Sequence, residues 1–485
     1  TRRSSDLQGV QTLRQATAYT AGAVSNYFDS RVDSFSARGS TVTQYQDGLL
    51  RTYGTYNSSR PDPYTLERVE FLRGPTSVLY GQGSVGGVLN LTSKRPQAES
   101  LREVQVQLGN HSRKQIATDL TGALDQEGQW LYRLVAVGRD SGSQVDHVDD
   151  NRVVLMPSLT WKPNAATSLT LQGLHQKDKS GSLIGFFPWQ GTQLPNRYGQ
   201  IPTNTFISEP GWDAYDTTNN SWGYLFSHQF NSDWTLRQNL RRTVSEVDYR
   251  TLYTSFAANA AAGRPARPVF NSDGRTVVRD AVWQFNTGRM LLIDTQLEGK
   301  LKAGSTEHNL LTGIDIQRNH TGQSVWRGLA SSIDVYNPVY GNFTPPTASQ
   351  LVRQPNVEQK QLGFYAQDQI KWGRWTATLG LRHDSYESRG VDASSTSANG
   401  VVTSVTYTPR GGSWDFTNYQ VGLVYKPTAS SSLYVSYGTS STPPGISGGD
   451  QNSNTVTGTG NLATVQLEPE DSESFEAGAK ANVLN

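Results

Sequence analysis

The sequence contains no cysteine among its 485 residues and only 2 methionines. Without cysteine the chain can form neither disulfides nor thiolate metal sites. It also lacks a long apolar run, because no segment reaches the roughly 18 consecutive apolar residues of a membrane helix. A barrel protein remains possible, since barrel strands alternate apolar and polar residues and keep the mean hydropathy low.

An excess of charge of either sign is also absent. The chain has 43 basic and 42 acidic residues, which gives a formal net charge of +1. This balance offers no electrostatic basis for binding nucleic acid. The seven histidines are scattered and form no HExxH pair, and no GxSxG motif occurs. We therefore expect no enzyme active site, no bound metal of the protein's own and no cofactor.

Constrained residue types are densest between Arg60 and Pro96. The segment opens with Asp62 and Pro63, which predict a helix start over Pro63–Val69. A short apolar strand, a Gly-Pro turn, a glycine cluster and a strand at Val88–Thr92 follow. The glycines formally match GxGxxG, but they lead into a strand, whereas a dinucleotide site needs a helix there.

This segment resembles the end of the plug domain of TonB-dependent outer-membrane receptors. The resemblance rests on Glu67–Glu70, Leu72–Pro75, Ser77–Gly81 and Gly86–Asn90, which occur in the family's order. It implies a mixed α/β plug domain over residues 1–96, lying inside a transmembrane β-barrel formed by residues 97–485. A generic glycine-rich β segment is the alternative interpretation.

From Leu101 onward the sequence repeats stretches of alternating apolar and polar residues, which is the period of a β-strand. In Trp375–Arg382, for example, Trp375, Ala377, Leu379 and Leu381 share one face. We count about 14 strands by this pattern. They are expected at 102–109, 115–123, 129–139, 151–161, 168–176, 222–230, 234–248, 291–301, 309–319, 359–371, 374–386, 417–426, 431–439 and 472–481.

The connections between these strands alternate between short and long. Short turns are expected near Asp125, Asn164, Asn231, Gly304, Gly373 and Thr428. Long aromatic-rich loops are expected at 177–221, 249–290 and 319–358. Outer-membrane barrels have short periplasmic turns and long extracellular loops. The fold class is therefore an antiparallel all-β membrane barrel, with a soluble β-sandwich or propeller as the alternative.

Several loop segments narrow the resemblance to ferric hydroxamate receptors of the ferrichrome type, among them Gly185–Thr192 and Val335–Val339. That resemblance implies two sets of site residues. The ligand set is Arg38, Arg51, Thr52, Tyr53, Tyr56, Phe186, Trp189, Tyr253 and Trp326. The charges expected to pair plug with barrel are Glu67, Arg68, Glu70, Arg73 and Glu476. Ser255 and Thr52 depart from the ferrichrome pattern, so another hydroxamate can be the ligand.

The resemblance implies a monomeric receptor of the Gram-negative outer membrane, surrounded by lipid, that imports a ferric siderophore with energy from the inner-membrane TonB complex. Iron enters only as part of the ligand. The alternatives are a receptor of the same fold for a catecholate or another ferric chelate, and a surface-binding barrel that does not transport. A soluble glycosidase, with two carboxylates and an aromatic sugar cleft, is a third possibility.

The strand count also predicts a partial barrel. Plugged transporters of this type close with about 22 strands, and about 14 are present here. The sequence shows no TonB-interacting segment before Thr1, and it ends at Asn485, just after a strand. We therefore expect an arc of strands around the plug, in which strand 102–109 does not pair with strand 472–481.

Overall fold

A computed structural model describes most of the chain. The described residues are 9–25, 30–37, 39–54, 56–72, 77–81, 86–256, 267–347, 351–398, 401–443, 455–456, 465–466 and 468–482. In the part of the chain so described, helix is scarce and comprises α1 (Leu13–Thr17), α2 (Ser77–Tyr80) and a single 3-10 turn at Pro63–Thr65. Within these ranges, no helix combines the length and apolar character needed to cross a membrane.

The rest of the regular structure is β-strand. Among the described residues, seven strands precede residue 96, namely β1 (Ala23–Ser25), β2 (Phe35–Ala37), β3 (Ser40–Thr41), β4 (Thr43–Gln46), β5 (Leu49–Leu50), β6 (Leu66–Leu72) and β7 (Val88–Ser93). The strands that follow are β8 (Leu101–Leu108), β9 (Lys114–Ala123), β10 (Trp130–Asp140), β11 (Asp150–Asn164), β12 (Thr167–Ser180), β13 (Ala214–Gln229), β14 (Trp234–Thr254), β15 (Thr276–Ala303), β16 (Thr306–Asp334), β17 (Leu351–Trp372), β18 (Trp375–Ala398), β19 (Val401–Thr428), β20 (Ser431–Thr442), β21 (Thr455–Val456), β22 (Val465–Gln466) and β23 (Glu470–Ala481).

Fourteen of these strands form one antiparallel sheet in chain order, from β8 to β20 and then β23. Each corresponds to one predicted strand, so the antiparallel fold class is confirmed. Within the described ranges, β8 pairs only with β9, and β23 pairs only with β20. The expected unpaired edges are therefore present in this sheet.

The predicted loops were too long, because the strands continue well beyond the apolar band. β14 extends to Thr254, β15 begins at Thr276, and β16 extends to Asp334. Tyr253, Trp283 and Trp326 consequently lie in strands, although we expected them in loops. Above the apolar band the outer face of a strand no longer has to be apolar, so the alternation that reveals a strand in the sequence weakens.

Side-chain exposure alternates along the sheet as the sequence predicts. Leu379 and Leu381 are exposed on the outer face, whereas Arg382 and Asp384 are buried on the inner face. Aromatic rings cluster near the short turns, where Trp130 stacks on Trp161 at 5.9 Å and Trp375 lies 4.5 Å from Tyr425. Rings at this level are typical of the membrane–water interface.

The described residues up to Ser93 form two small sheets inside the curved large sheet. One sheet has the order β5-β4-β7-β6, with β4 and β7 parallel, and a second contains β1, β2 and β3. The last strand ends at Ser93, and the first strand of the large sheet begins at Leu101. Tyr45, Leu50 and Val88 pack against Met290 and Leu292 of β15, so one apolar cluster joins the two parts.

The predicted helix at Pro63–Val69 is wrong beyond its first turn. Asp62 caps the turn as expected, and its carboxylate accepts a hydrogen bond from the Tyr64 backbone N–H at 3.0 Å. The chain is already in strand β6 at Leu66. Its pairing with β7 supplies the backbone hydrogen bonds that a longer helix would otherwise form.

We predict two classes of site along β18 and β19. Single cysteines introduced for nitroxide labels are unambiguous, because the chain has none of its own. Labels at Leu379, Leu381, Val421 and Leu423 should be accessible to lipid-soluble oxygen, since alternate residues point to opposite faces. Labels at Thr378 and Gln420 should be shielded from oxygen in a lipid bilayer. Equal accessibility at all six positions would contradict the barrel.

Candidate ligand site above the plug

Buried ion pairs attach the inner domain, here called the plug, to strands β9–β12. Asp119 of β9 lies 2.9 Å from the ammonium nitrogen of plug Lys94 and 2.7 Å from the guanidinium of Arg133 on β10. All three side chains are almost completely buried. Such charges are costly unless they are paired. The plug and the large sheet, which is called the wall below, therefore neutralise each other's buried charges here.

A second ionic contact lies higher on the same wall. Plug Asp62, which caps the 3-10 turn, is 3.1 Å from Arg152 of β11 and 3.8 Å from Arg139 of β10. Arg152 also forms a two-pronged pair with Asp178 of β12, at 2.8 and 2.7 Å. One plug carboxylate therefore joins a network that spans three wall strands.

Arg241 of β14 attaches the plug in a different way, through backbone carbonyls. Its guanidinium donates hydrogen bonds to the carbonyls of Gln46, Leu49 and Leu50, at distances between 2.7 and 3.2 Å. These carbonyls belong to the β4–β5 turn of the plug. A wall arginine thus satisfies acceptors that this short turn leaves unpaired.

The charged residues expected at the plug–barrel contact do not lie together. Glu67 lies 3.6 Å from wall Arg133. Arg68 and Glu70 pair with each other at 3.1 Å on the partly exposed strand β6. Glu476 lies on β23, opposite Ser436. Arg73 lies outside the described residues.

We predict that Asp119→Asn destabilises the protein by about 3–5 kcal/mol, because it leaves Lys94 and Arg133 buried without their carboxylate. Unfolding by denaturant in detergent micelles measures the change. Glu70→Gln is the matched control, since it removes an exposed pair worth about 1 kcal/mol or less. Equal stability of the Asp119 variant and the parent would show that the buried triad contributes little.

A second group of residues forms an aromatic floor at the top of the plug. The guanidinium of plug Arg31 lies 4.5 Å from the ring centre of Tyr56 and 4.6 Å from that of Tyr249 on β14. It donates hydrogen bonds to both hydroxyl groups. Tyr215 of β13 packs edge-on against both tyrosine rings. Plug and wall therefore hold one cation between two tyrosine rings, a stabilising arrangement for a buried guanidinium.

Further aromatic rings lie near the upper end of β14. Phe186, in the loop after β12, meets Tyr253 of β14 edge-on at 5.4 Å and Phe256 at 5.2 Å. Its φ of 51° is in the left-handed region, which is uncommon for a residue with a side chain. The Tyr253 hydroxyl accepts a 3.4 Å hydrogen bond from Arg327 of β16, and Asp280 of β15 lies directly opposite Tyr253.

Three of the sequence-predicted ligand residues lie deeper in the plug. Arg51 donates to the Ser59 carbonyl and to the Gln44 side-chain oxygen, so it holds the plug together internally. Tyr53 is buried in the apolar cluster against β15, and half-buried Thr52 lies between Arg51 and Tyr53.

Two other predicted ligand residues, Trp189 and Trp326, lie apart from the Phe186–Tyr253 group. Trp189 is largely exposed and lies under the guanidinium of Arg267 at 4.9 Å. Trp326 stacks on Trp283 at 4.4 Å. Its neighbour Arg327 reaches Tyr253, so strand alternation directs Trp326 to the outer face. Arg38 lies outside the described residues.

Sequence reasoning missed Arg31, Tyr215, Tyr249 and the wall arginines. A signal existed for the arginines, because Arg133 occupies one position in the otherwise apolar face of Leu131–Val137. A charge at such a position indicates an inward side chain with a partner. Arg31 had no signal, since its partners are far away in the sequence.

The base of the loop that carries Phe186 is closed by Asp213. Its carboxylate accepts hydrogen bonds from the Ser182 backbone N–H at 2.9 Å and from the Thr251 hydroxyl at 2.7 Å. Burial raises the pKa of this carboxyl to about 6, although these hydrogen bonds and the charge of plug Arg31 oppose the rise. Both ends of the loop and strand β14 therefore meet at one group that titrates near neutral pH.

We predict that mild acid favours the closed form of this loop. Asp213 binds its proton near pH 6 when buried, but near pH 4 when exposed in an open loop. Lowering the pH from 7 to 5 should therefore stabilise closure, because only the buried carboxyl takes up a proton in that range. Hydrogen exchange of residues 181–213, corrected for its intrinsic pH dependence, measures closure. Asp213→Asn should abolish this dependence, and an unchanged pH profile in that variant would contradict the assignment.

Together, the antiparallel wall, the inner domain and the aromatic group above it define a plugged outer-membrane β-barrel. Comparison with known families agrees with this class. The model "TonB dependent receptor-like, beta-barrel" matches residues 159–485, and the model "TonB-dependent Receptor Plug Domain" matches residues 1–88. The chain belongs to the TonB-dependent receptors, a family of the Gram-negative outer membrane, and is an outer-membrane protein.

Similar proteins include the ferrioxamine B receptor of Salmonella typhimurium, 32% identical over 99% of this chain and 64% of that protein. The ferrichrome outer membrane transporter/phage receptor of Escherichia coli is 34% identical over 77% of this chain and 52% of the relative. The closed form of the ferric-catecholate import receptor Fiu from E. coli has a TM-score of 0.87 over the whole chain and 70% of its own, at 21% identity. The chain thus spans about two thirds or less of these curated relatives.

Proposed function

We propose that this chain is part of a receptor that binds a ferric siderophore of the hydroxamate type at the extracellular face and imports it. The observation that carries the proposal is the aromatic floor at the plug apex, with the Phe186–Tyr253 pair on the wall. Tyrosine rings offer apolar contact and a hydroxyl group to a ligand that carries both characters. The ferrioxamine and ferrichrome relatives support the same ligand class.

The charges near this chamber also favour a hydroxamate complex. Three hydroxamates, each with one negative charge, neutralise a ferric ion, whereas three doubly charged catecholates leave a large negative charge. Among the described residues, Arg31 and Arg327 are balanced by Asp213 and Asp280. A chamber whose described charges balance suits a neutral complex better than a strongly anionic one.

Transport would require movement of the plug. Energy from the inner-membrane TonB complex would move the plug, and contact between the ligand and the Arg31 floor would couple binding to that movement. We propose that the receptor acts as a monomer in outer-membrane lipid, contacts no nucleic acid, has no cofactor and is not an enzyme. We also propose residues 1–96 as the plug and 97–485 as the barrel.

The test is binding of a panel of ferric siderophores to the purified receptor in detergent. The panel contains ferric tris-hydroxamates with and without a charged tail, a ferric tris-catecholate and iron-free controls. Preferential binding of hydroxamates supports the proposal. A preference for the catecholate assigns the receptor to the alternative ligand class. Binding without uptake by cells that produce the receptor assigns it to non-transporting barrels.

We predict that Phe186→Ala and Tyr253→Ala each weaken hydroxamate binding by about 1–3 kcal/mol, if the ligand buries the ring. Tyr253→Phe separates the ring from the hydroxyl and should retain most of the affinity. Arg31→Gln should also weaken binding, because it removes a charge-assisted donor from the floor. Parent-like affinity in all three ring and arginine variants would place the ligand elsewhere.

A further inference from the structure

The two sides of the barrel present different chemistry to the plug. Strands β9–β12 face it with paired charges, as described above. On the inner face of β16, three uncharged side chains follow one another at alternate positions, Gln317, Asn319 and Thr321. Gln359 of β17 lies directly opposite Asn319. All four are buried, with exposures between 2% and 5%.

These four side chains, the amide track, have unused hydrogen-bonding atoms. Gln317 Oε1, Asn319 Oδ1, Thr321 Oγ1 and Gln359 Oε1 have no partner within the described parts of the chain. A buried amide or hydroxyl oxygen without a partner is costly. Four on neighbouring positions of two strands therefore point to an additional ligand.

The amide track lies between the aromatic floor above and the Asp315–Arg382 ion pair below. At its lower end, the Gln317 amide donates to Asp315 at 2.9 Å, and Asp315 pairs with Arg382 at 3.0 Å, beside plug Gly81. Above its upper end, Asn286 of β15 donates to the carbonyl of Tyr56 in the aromatic floor. Alternate residues of a strand are about 6.7 Å apart, so Gln317 and Thr321 span about 13 Å.

We propose that the amide track is the transit site of the ligand between the aromatic floor and the lower barrel once the plug has moved. This rests on the proposed function. The chemical class it fits is a neutral, oxygen-rich complex with N–H or O–H groups, because amide and hydroxyl oxygens accept hydrogen bonds without binding a charge tightly. Sites at alternate strand positions let such a ligand exchange one hydrogen bond for the next.

The ionic side of the barrel is a poorer route. A ligand passing β9–β12 would have to separate Asp119 from Lys94, or Asp62 from Arg152, and leave buried charges behind. On the β16–β17 side, the described residues include no ion pair between plug and wall. The plug can therefore leave the amide track without exposing an unpaired charge.

The experiment separates binding from uptake in cells that produce the receptor as its gene encodes it. The variants are Gln317→Leu, Asn319→Leu, Gln359→Leu and the nearly isosteric Thr321→Val, with an iron-labelled ferric tris-hydroxamate that the parent binds. Each should slow uptake by about fivefold, the equivalent of one lost hydrogen bond, while the dissociation constant changes less than twofold. Gln105→Leu, a lumen-side amide on β8, is the control and should import at the parent rate.

The outcomes are distinguishable from failure of the proposed function. If the parent binds no hydroxamate, the ligand class is wrong. If the track variants bind and import like the parent, the transit site is overturned. If Gln105→Leu is slowed equally, no specific track exists, and the proposal also fails. Thr321→Val preserves side-chain shape, so a slow rate in this variant excludes loss of folding as the cause.

Discussion

The pairing of buried charge is the constraint on which the rest of the structure depends. A plug inside a barrel removes its charged surface from water, and each ion so removed costs several kcal/mol unless a partner meets it. Asp119 meets this requirement for Lys94 of the plug and Arg133 of the wall at the same time. Asp62 does the same with Arg152 and Arg139. These contacts fix the orientation of the plug, and so place the Arg31 floor beneath the wall aromatics.

The fold was largely predictable because a barrel strand in lipid must alternate apolar and polar residues. All fourteen strands of the sheet follow from that pattern, and the short turns follow from their spacing. The extracellular halves of β14–β19 could not be predicted in the same way. There, segments such as His320–Ser324 are polar on both faces and have the composition of a loop. Their strand conformation comes from pairing with the neighbouring strand, such as Ser324 with Phe285.

The candidate site was predictable only in part, and for a related reason. Phe186 and Tyr253 belong to segments that resemble a known receptor type, and the fold brings them together. Arg31 contacts Tyr249, which lies 218 positions away, so no local pattern connects them. Trp326 illustrates the opposite problem. Its aromatic side chain suits a ligand site, but its position in the strand places it on the outer face. Which face a residue occupies depends on strand register rather than on composition.

The long strands have a consequence for how this protein reaches its final state. β15 contains 28 residues, whereas about 10 residues suffice for a strand to cross a bilayer. More than half of such a strand therefore extends beyond the bilayer, and that part must pass through the membrane before it can pair on the far side. Until then, its backbone groups have no partner, and lipid offers none. The cost of this architecture thus falls on assembly, and insertion is favoured when neighbouring strands cross as hairpins that already satisfy one another.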